Sequence, residues 1–292
     1  MSSHPFYSCK RFLPCLLFNV NEFKNFMKKI IAPVDFSDAS ANALSFAAEL
    51  SKRASAQLII VNIFERGEDE EDSRDKLKSV AADLKKAFGP DLNCETLVAH
   101  GSLINELKPI VNLQQPDLVV MGTKGASGLK KILIGSNTVN VLAKIKVPVL
   151  VIPEVARFED FAEQGKNRVV LATDLDALEN EDSLDILKEI ALLIIEPKLR
   201  VVSVRPKNTE LDHLKRMERE ALLSIFRPEI ETERITVFSN SVMGGLNFYL
   251  NEHWDTGLVA MIARDTGQLI QKHYTREMAS HTNLPLLVLH DV

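Results

Sequence analysis

The sequence predicts an α/β fold of two tandem doubly wound domains, each an open five-stranded parallel sheet with helices on both faces. Three observations carry this. Short apolar runs alternate with helix-period patterns through the chain, the signature of βαβ crossovers and of a parallel sheet covered on both sides. The order of runs restarts after about 140 residues, an internal repeat to be recognised before any local assignment. A glycine-rich turn joins one apolar run to a helix pattern in the first repeat, where doubly wound sheets keep their ligand crevice.

The elements follow in order. Ile30 to Val34 is a short apolar run, as in a buried strand; Asp35 ends it, and Ser37 or Asp38 caps a helix with apolar positions Ala43, Phe46, Ala47 and Leu50. Leu58 to Phe64 is the second strand. The acidic stretch Glu65 to Asp75 reads as a solvated loop and helix start, and the helix runs through Leu77, Val80, Ala81 and Leu84 to end near Gly89-Pro90. Cys94 to Ala99 is the third strand and Leu103 to Leu113 the third helix. Leu118 to Met121 is the fourth strand, breaking off at Gly122, and Val149 to Ile152 the fifth. Pro153 to Lys166 is polar with isolated aromatics and reads as a linker. The pattern then restarts: Val169 to Thr173 before Asp174 mirrors Ile30 to Val34 before Asp35. Leu199 to Val204, Leu258 to Ile262 and Pro285 to Leu289 mirror the later strands. The domain boundaries expected are 27–153, a linker at 154–166, and 167–292.

The turn between the fourth and fifth strands has the spacing Gly122-x2-Gly125-x9-Gly135-Ser136 and runs into a helix pattern through Val139, Leu142 and Ala143. Glycine lets backbone approach a ligand closely, and a helix N-terminus offers free N–H groups to an anion. Ser136 adds a hydroxyl where it could serve helix or phosphate. This reads as a phosphate cradle; the competing reading is a tight turn that binds nothing. The spacing is neither the Rossmann GxGxxG nor the Walker GxxxxGK[ST] pattern.

On these residues the chain resembles the universal stress protein family, and the resemblance extends over Met27 to Leu50 (MKKIIAPVDFSDASANALSFAAEL), Gln57 to Phe64 and Val98-Ala99-His100-Gly101-Ser102. It covers residues 27 to about 153, and 167–292 resemble a second, degraded copy. The resemblance implies an adenine nucleotide alpha hydrolase-like fold. It also implies that ATP, or ADP or AMP, binds, with Mg2+ or Mn2+ carried by the phosphates. Pro33, Asp35 and the backbone around Ile63 would address the adenosine, Met121 and Gly122 would line the nucleoside, and Gly125, Gly135, Ser136 and Asn137 would hold the phosphates. Many family members have valine where this chain has Asn137, a change that backbone contacts should survive. Lys124, Lys130 and Lys131 could add charge near a triphosphate or be solvated loop lysines, and Asp35 could instead cap its helix. The resemblance further implies that the final strands of the two copies pair, giving an intramolecular pseudo-dimer, and that a homodimer is a second arrangement.

The second copy has Ile262 opposite Gly122 and Asp265 opposite Gly125, and Thr266 to Met278 contain no Gly-Ser pair. Side chains would crowd phosphates there and Asp265 would repel them, so the second copy is expected to have lost the site. His273, Tyr274 and Arg276 read as ordinary loop and helix residues.

Composition bounds the rest. A net charge of −5 advertises no nucleic-acid partner, and no apolar run approaches a membrane span. Cys9, Cys15 and Cys94 lack metal-ligand or disulfide-framework spacing, which fits a reducing cytoplasm. Residues 1–26, where Lys10 and Arg11 precede the short apolar run from Phe12 to Phe18, read as an extension without a fold of its own. No side chain stands out as a general base, arginine finger or magnesium carboxylate, so no catalytic or metal residue is assigned. His100 beside Gly101 is the histidine nearest the expected crevice. Three functions are therefore carried forward: a nucleotide-responsive stress module, a slow ATPase, and a nucleotide-independent interaction scaffold with an unidentified protein partner.

Overall fold

The computed structural model describes residues 26–64, 69–123, 136–162, 165–264, 277–278 and 283–291. Gly125, Gly135 and Lys124, Lys130 and Lys131 lie outside them, as do Asp265, His273, Tyr274, Arg276 and residues 1–25.

The first half is β1 (Lys29–Val34), α1 (Asp38–Ala54), β2 (Gln57–Phe64), α2 (Glu70–Phe88), β3 (Cys94–His100), α3 (Leu103–Gln114), β4 (Leu118–Thr123), α4 (Ser136–Lys144) and β5 (Val149–Pro153). After α5 (Phe158–Ala162) the second half runs β6 (Arg168–Ala172), α6 (Asp182–Leu192), β7 (Lys198–Arg205), α7 (His213–Phe226), β8 (Glu231–Phe238), α8 (Val242–Glu252), β9 (Thr256–Arg264) and β10 (Leu286–Asp291). One ten-stranded sheet results, ordered β3-β2-β1-β4-β5-β10-β9-β6-β7-β8. Each set of five is parallel, and the two sets meet at an antiparallel pair, β5 with β10.

The register of that pair has two-fold logic. Val119 pairs Val149 in the first half and Val259 pairs Leu286 in the second, so Leu150 and Leu287 are equivalent positions. They stand opposite one another, with Val149 facing Val288 and Val151 facing Leu286. A local two-fold axis therefore passes through the Leu150–Leu287 pair.

Strand residues alternate between two apolar cores. Ile30, Leu58 and Leu287 join α1, α2, α5, α6 and α7 on one face, while Ile31, Ile59 and Val288 join α3, α4 and α8 on the other. Both cores run uninterrupted across the β5–β10 seam. Helix ends follow local chemistry: Ser37, Asp69, Asp212 and Ser241 are N-caps whose side chains accept from backbone amides, and Lys52 and Arg53 lie in the last turn of α1.

Two expectations are corrected. The linker is not simply polar chain. Phe158 and Phe161 are buried in α5 and pack on Phe46 of α1 with ring centroids 5.3 and 6.5 Å away. The fourth strand does not stop at Gly122; it continues to Thr123, with Gly122 paired to Ile152 and Thr123 to Pro153.

Candidate functional site

The first three strands of the first half run outward from β1, and the chain then crosses to β4 on the other side, so β1 and β4 flank the topological switch point. β1 ends at Val34, followed by Asp35. The Asp35 carboxylate accepts from the Ser37 amide at 3.0 Å and the Ser37 hydroxyl at 2.5 Å. Burial pushes its pKa up, but these bonds outweigh burial and hold it below the ordinary carboxylate range. Asp35 is thus an ionised acceptor at the mouth of the switch point. Ser37 also caps α1 by accepting from the Ser40 amide at 3.3 Å. Asp35 therefore supports the cap rather than acting as the cap itself.

Phe36, between them, has φ +60° and is 40% exposed. A bulky residue in that region is strained, and the strain turns the chain from strand to helix within three residues. Pro33 is buried in β1, paired with Val61. At the end of β2, Asn62 Nδ2 donates to the Val34 carbonyl at 2.9 Å and ties the two strand ends together. Ile63 is half-buried, and Phe64 meets the His100 ring edge-on at 5.1 Å between centroids. His100 is a ring contact at the edge of the crevice.

Gly122 has a reason that spacing alone does not reveal. A Cβ there would come within 2.3 Å of the Ala39 carbonyl oxygen and 2.6 Å of its carbon. The missing side chain lets the first turn of α1 lie on β4, which brings Asp35, Ser37 and the β4 terminus together. Met121 points to the opposite core and is buried, so only its backbone faces the strand ends. Ser136 and Asn137 are the first two residues of α4. Asn137 is exposed. The first amides of α4 have no intrahelical acceptor. The structure thus brings Asp35, Ile63 and Gly122 to the carboxyl ends of β1, β2 and β4 in one sheet.

Sequence reasoning missed two buried polar groups there. Asn62 Oδ1 and Thr123 Oγ1 have no hydrogen-bond partner among the described residues. The signal was a polar residue inside each of the apolar runs QLIIVNIF and LVVMGT. Among the described residues no group of three or more His, Cys, Asp or Glu side chains could hold a metal ion. No helix among them is long and apolar enough to cross a membrane.

The family model for the universal stress protein family matches residues 27–153. Universal stress protein MJ0531 of Methanocaldococcus jannaschii is 30% identical over 145 residues, covering 44% of this chain and 84% of that protein. The chain belongs to the universal stress protein family. Universal stress protein YxiE of Bacillus subtilis is 28% identical over 144 residues, covering 42% of this chain and 97% of that one. Both alignments span less than half of the present chain. The likeness in fold reaches further: a universal stress protein from Archaeoglobus fulgidus superposes with TM-score 0.69 at 18% identity, covering 92% of this chain and 100% of that one. A doubly wound fold therefore extends through the second half.

Proposed function

We propose that this universal stress protein is a nucleotide-responsive module whose first domain, residues 27–153, binds ATP, or ADP or AMP, at the ends of β1 and β4. Residues 154–166 join it to a second domain, 167–292, that does not form the same site. One observation carries the reading: Asp35, an ionised carboxylate, follows β1 beside β4 at the switch point, and the Gly-x2-Gly-x9-Gly-Ser sequence follows from β4 into α4. Asp35 and the Ile63 backbone would accept from adenosine, whereas the turn and the amides of Ser136 and Asn137 would meet the phosphates. A divalent Mg2+ or Mn2+ would be held by the phosphates, because the described residues provide no carboxylate cluster for it.

Binding, rather than turnover, is the expected activity. His100 meets Phe64 through its ring, and the Asp35 carboxylate accepts from Ser37. The assigned compartment is the cytoplasm. Calorimetric titration of the full chain with ATP and magnesium should give one site, weakened at least about tenfold by Gly135→Val, which fills the cradle with a branched side chain. Absence of binding by any adenine nucleotide at millimolar concentration would reject the proposal. Mass spectrometry of denatured protein gives an independent check through released ATP, ADP or AMP.

A further inference from the structure

The second half treats the equivalent space differently. Ile30 pairs Leu118 and Val169 pairs Leu258, so position 264 corresponds to 124 and Asp174 to Asp35. Arg264 ends β9 with its side chain 8% exposed. Its Nη1 donates to the Ala177 carbonyl at 2.6 Å, and its Nη2 donates to the Asp176 carbonyl. Nη2 lies 3.4 Å from Asp174 Oδ1 and Nη1 3.4 Å from Asp291 Oδ2. The other Asp291 oxygen accepts from the amides of Glu179 and Asn180 at 2.7 and 3.1 Å. Lys215 closes the ring, donating to the Asp174 carbonyl at 3.0 Å and pairing with Asp176 Oδ1 at 2.9 Å. The segment that supplies these carbonyls runs from 173 to 181, whereas residues 35–37 suffice between β1 and α1. The longer loop is wrapped around a guanidinium.

We infer that the crevice at the ends of β6, β9 and β10 is a cation pocket, selective for guanidinium, that the chain fills with its own Arg264. Its walls present acceptors on several sides: two main-chain carbonyls, Asp174 and Asp291, with the Asp176 carboxylate behind them. Such a planar arrangement suits the fork of a guanidinium. A phosphate entering it would meet carboxylates instead of amides, because the Glu179 and Asn180 amides are already bound to Asp291. Lys215 already pairs with Asp176, so removing Arg264 would leave the Asp174 and Asp291 carboxylates without their guanidinium, a surplus of negative charge that attracts another cation. This inference does not rest on nucleotide binding by the first half.

The test is chemical rescue in the full chain. Arg264→Ala should lower the thermal midpoint by about 5 °C or more, since it leaves the buried Asp291 carboxylate without its guanidinium. Guanidinium chloride at low millimolar concentration should restore at least half of that loss saturably, while tetramethylammonium and sodium chloride at equal ionic strength should not. Adding Asp291→Asn should abolish the saturable gain, and the parent chain should show none. Calorimetry should show no additional ATP site in Arg264→Ala. If Arg264→Ala does not fold, Arg264→Lys serves instead; it should fold with a lowered midpoint, having kept the charge but lost the fork. A folded Ala variant without a saturable guanidinium response, an equal response in the parent, or a Lys variant as stable as the parent would overturn the inference.

Discussion

The two halves share a backbone and differ in what they build at its ends. Both order their strands alike, and both place a left-handed non-glycine residue after the first strand, Phe36 at φ +60° and Leu175 at φ +61°. Both place another two residues before their second strand, Ser55 at φ +54° and Glu196 at φ +51°. Where the first half has Gly122 against the α1 backbone, the second has Ile262; where Phe64 meets His100 edge-on, Arg205 lies over the Phe238 ring at 5.1 Å. The lesson is that strained turns belong to the common frame, whereas the side chains at the strand ends are where the halves part.

The symmetry of the seam offers the largest test. Leu150 and Leu287 are both essentially buried, so replacing either by alanine should cost about 2–5 kcal/mol, equally within about 1 kcal/mol. Because they face each other, the double variant should be non-additive; chemical denaturation reads all three. Unequal costs would break the two-fold comparison. Next comes Gly122→Ala, expected to cost about 1–3 kcal/mol because a Cβ meets rigid helix backbone. Ile262→Ala, at a half-buried position, should cost less, and the reverse order would show that the two positions do not play the contrasting parts described.

Smaller still is Ser37→Ala, which removes the α1 cap at about 1 kcal/mol. It also removes a donor to Asp35, whose carboxyl should titrate closer to its ordinary value in an NMR titration. In the parent, Asp35 contributes stability that is present above its ordinary pKa of about 3.9 and lost as pH falls through the depressed folded value. Glu189 of α6 has the opposite sign. Burial pushes its pKa up, although the amides of Phe26 and Met27 donate to it at 2.9 and 2.6 Å. Its contribution is full below about 4.3 and lost as pH rises through the raised value. Glu189→Gln keeps an acceptor for those amides and should flatten that part of the stability–pH curve; an unchanged slope would refute the assignment.

Much of the frame was readable because it rests on local chemistry. The apolar runs become strands, Ser37 caps α1, and a helix starts at Ser136. α5 was hidden because five residues with two phenylalanines in polar surroundings carry too little periodicity, and its helix depends on Phe46 far away in sequence. The role of Gly122 was hidden because the atom it makes room for, the Ala39 oxygen, belongs to another element. Arg264 offered no signal at all: a single arginine closing an apolar run acquires meaning only when loop 173–181 and Asp291 converge on it.

The β5–β10 pair has a consequence for how such a chain can vary. Each strand satisfies the other's main-chain groups inside one polypeptide, so neither border is left for a separate copy to zip onto. Unlike halves consequently stay matched one to one, with no subunit exchange to scramble them. A change confined to one half always faces the same unaltered counterpart, and that leaves one half at liberty to specialise while the other keeps its crevice.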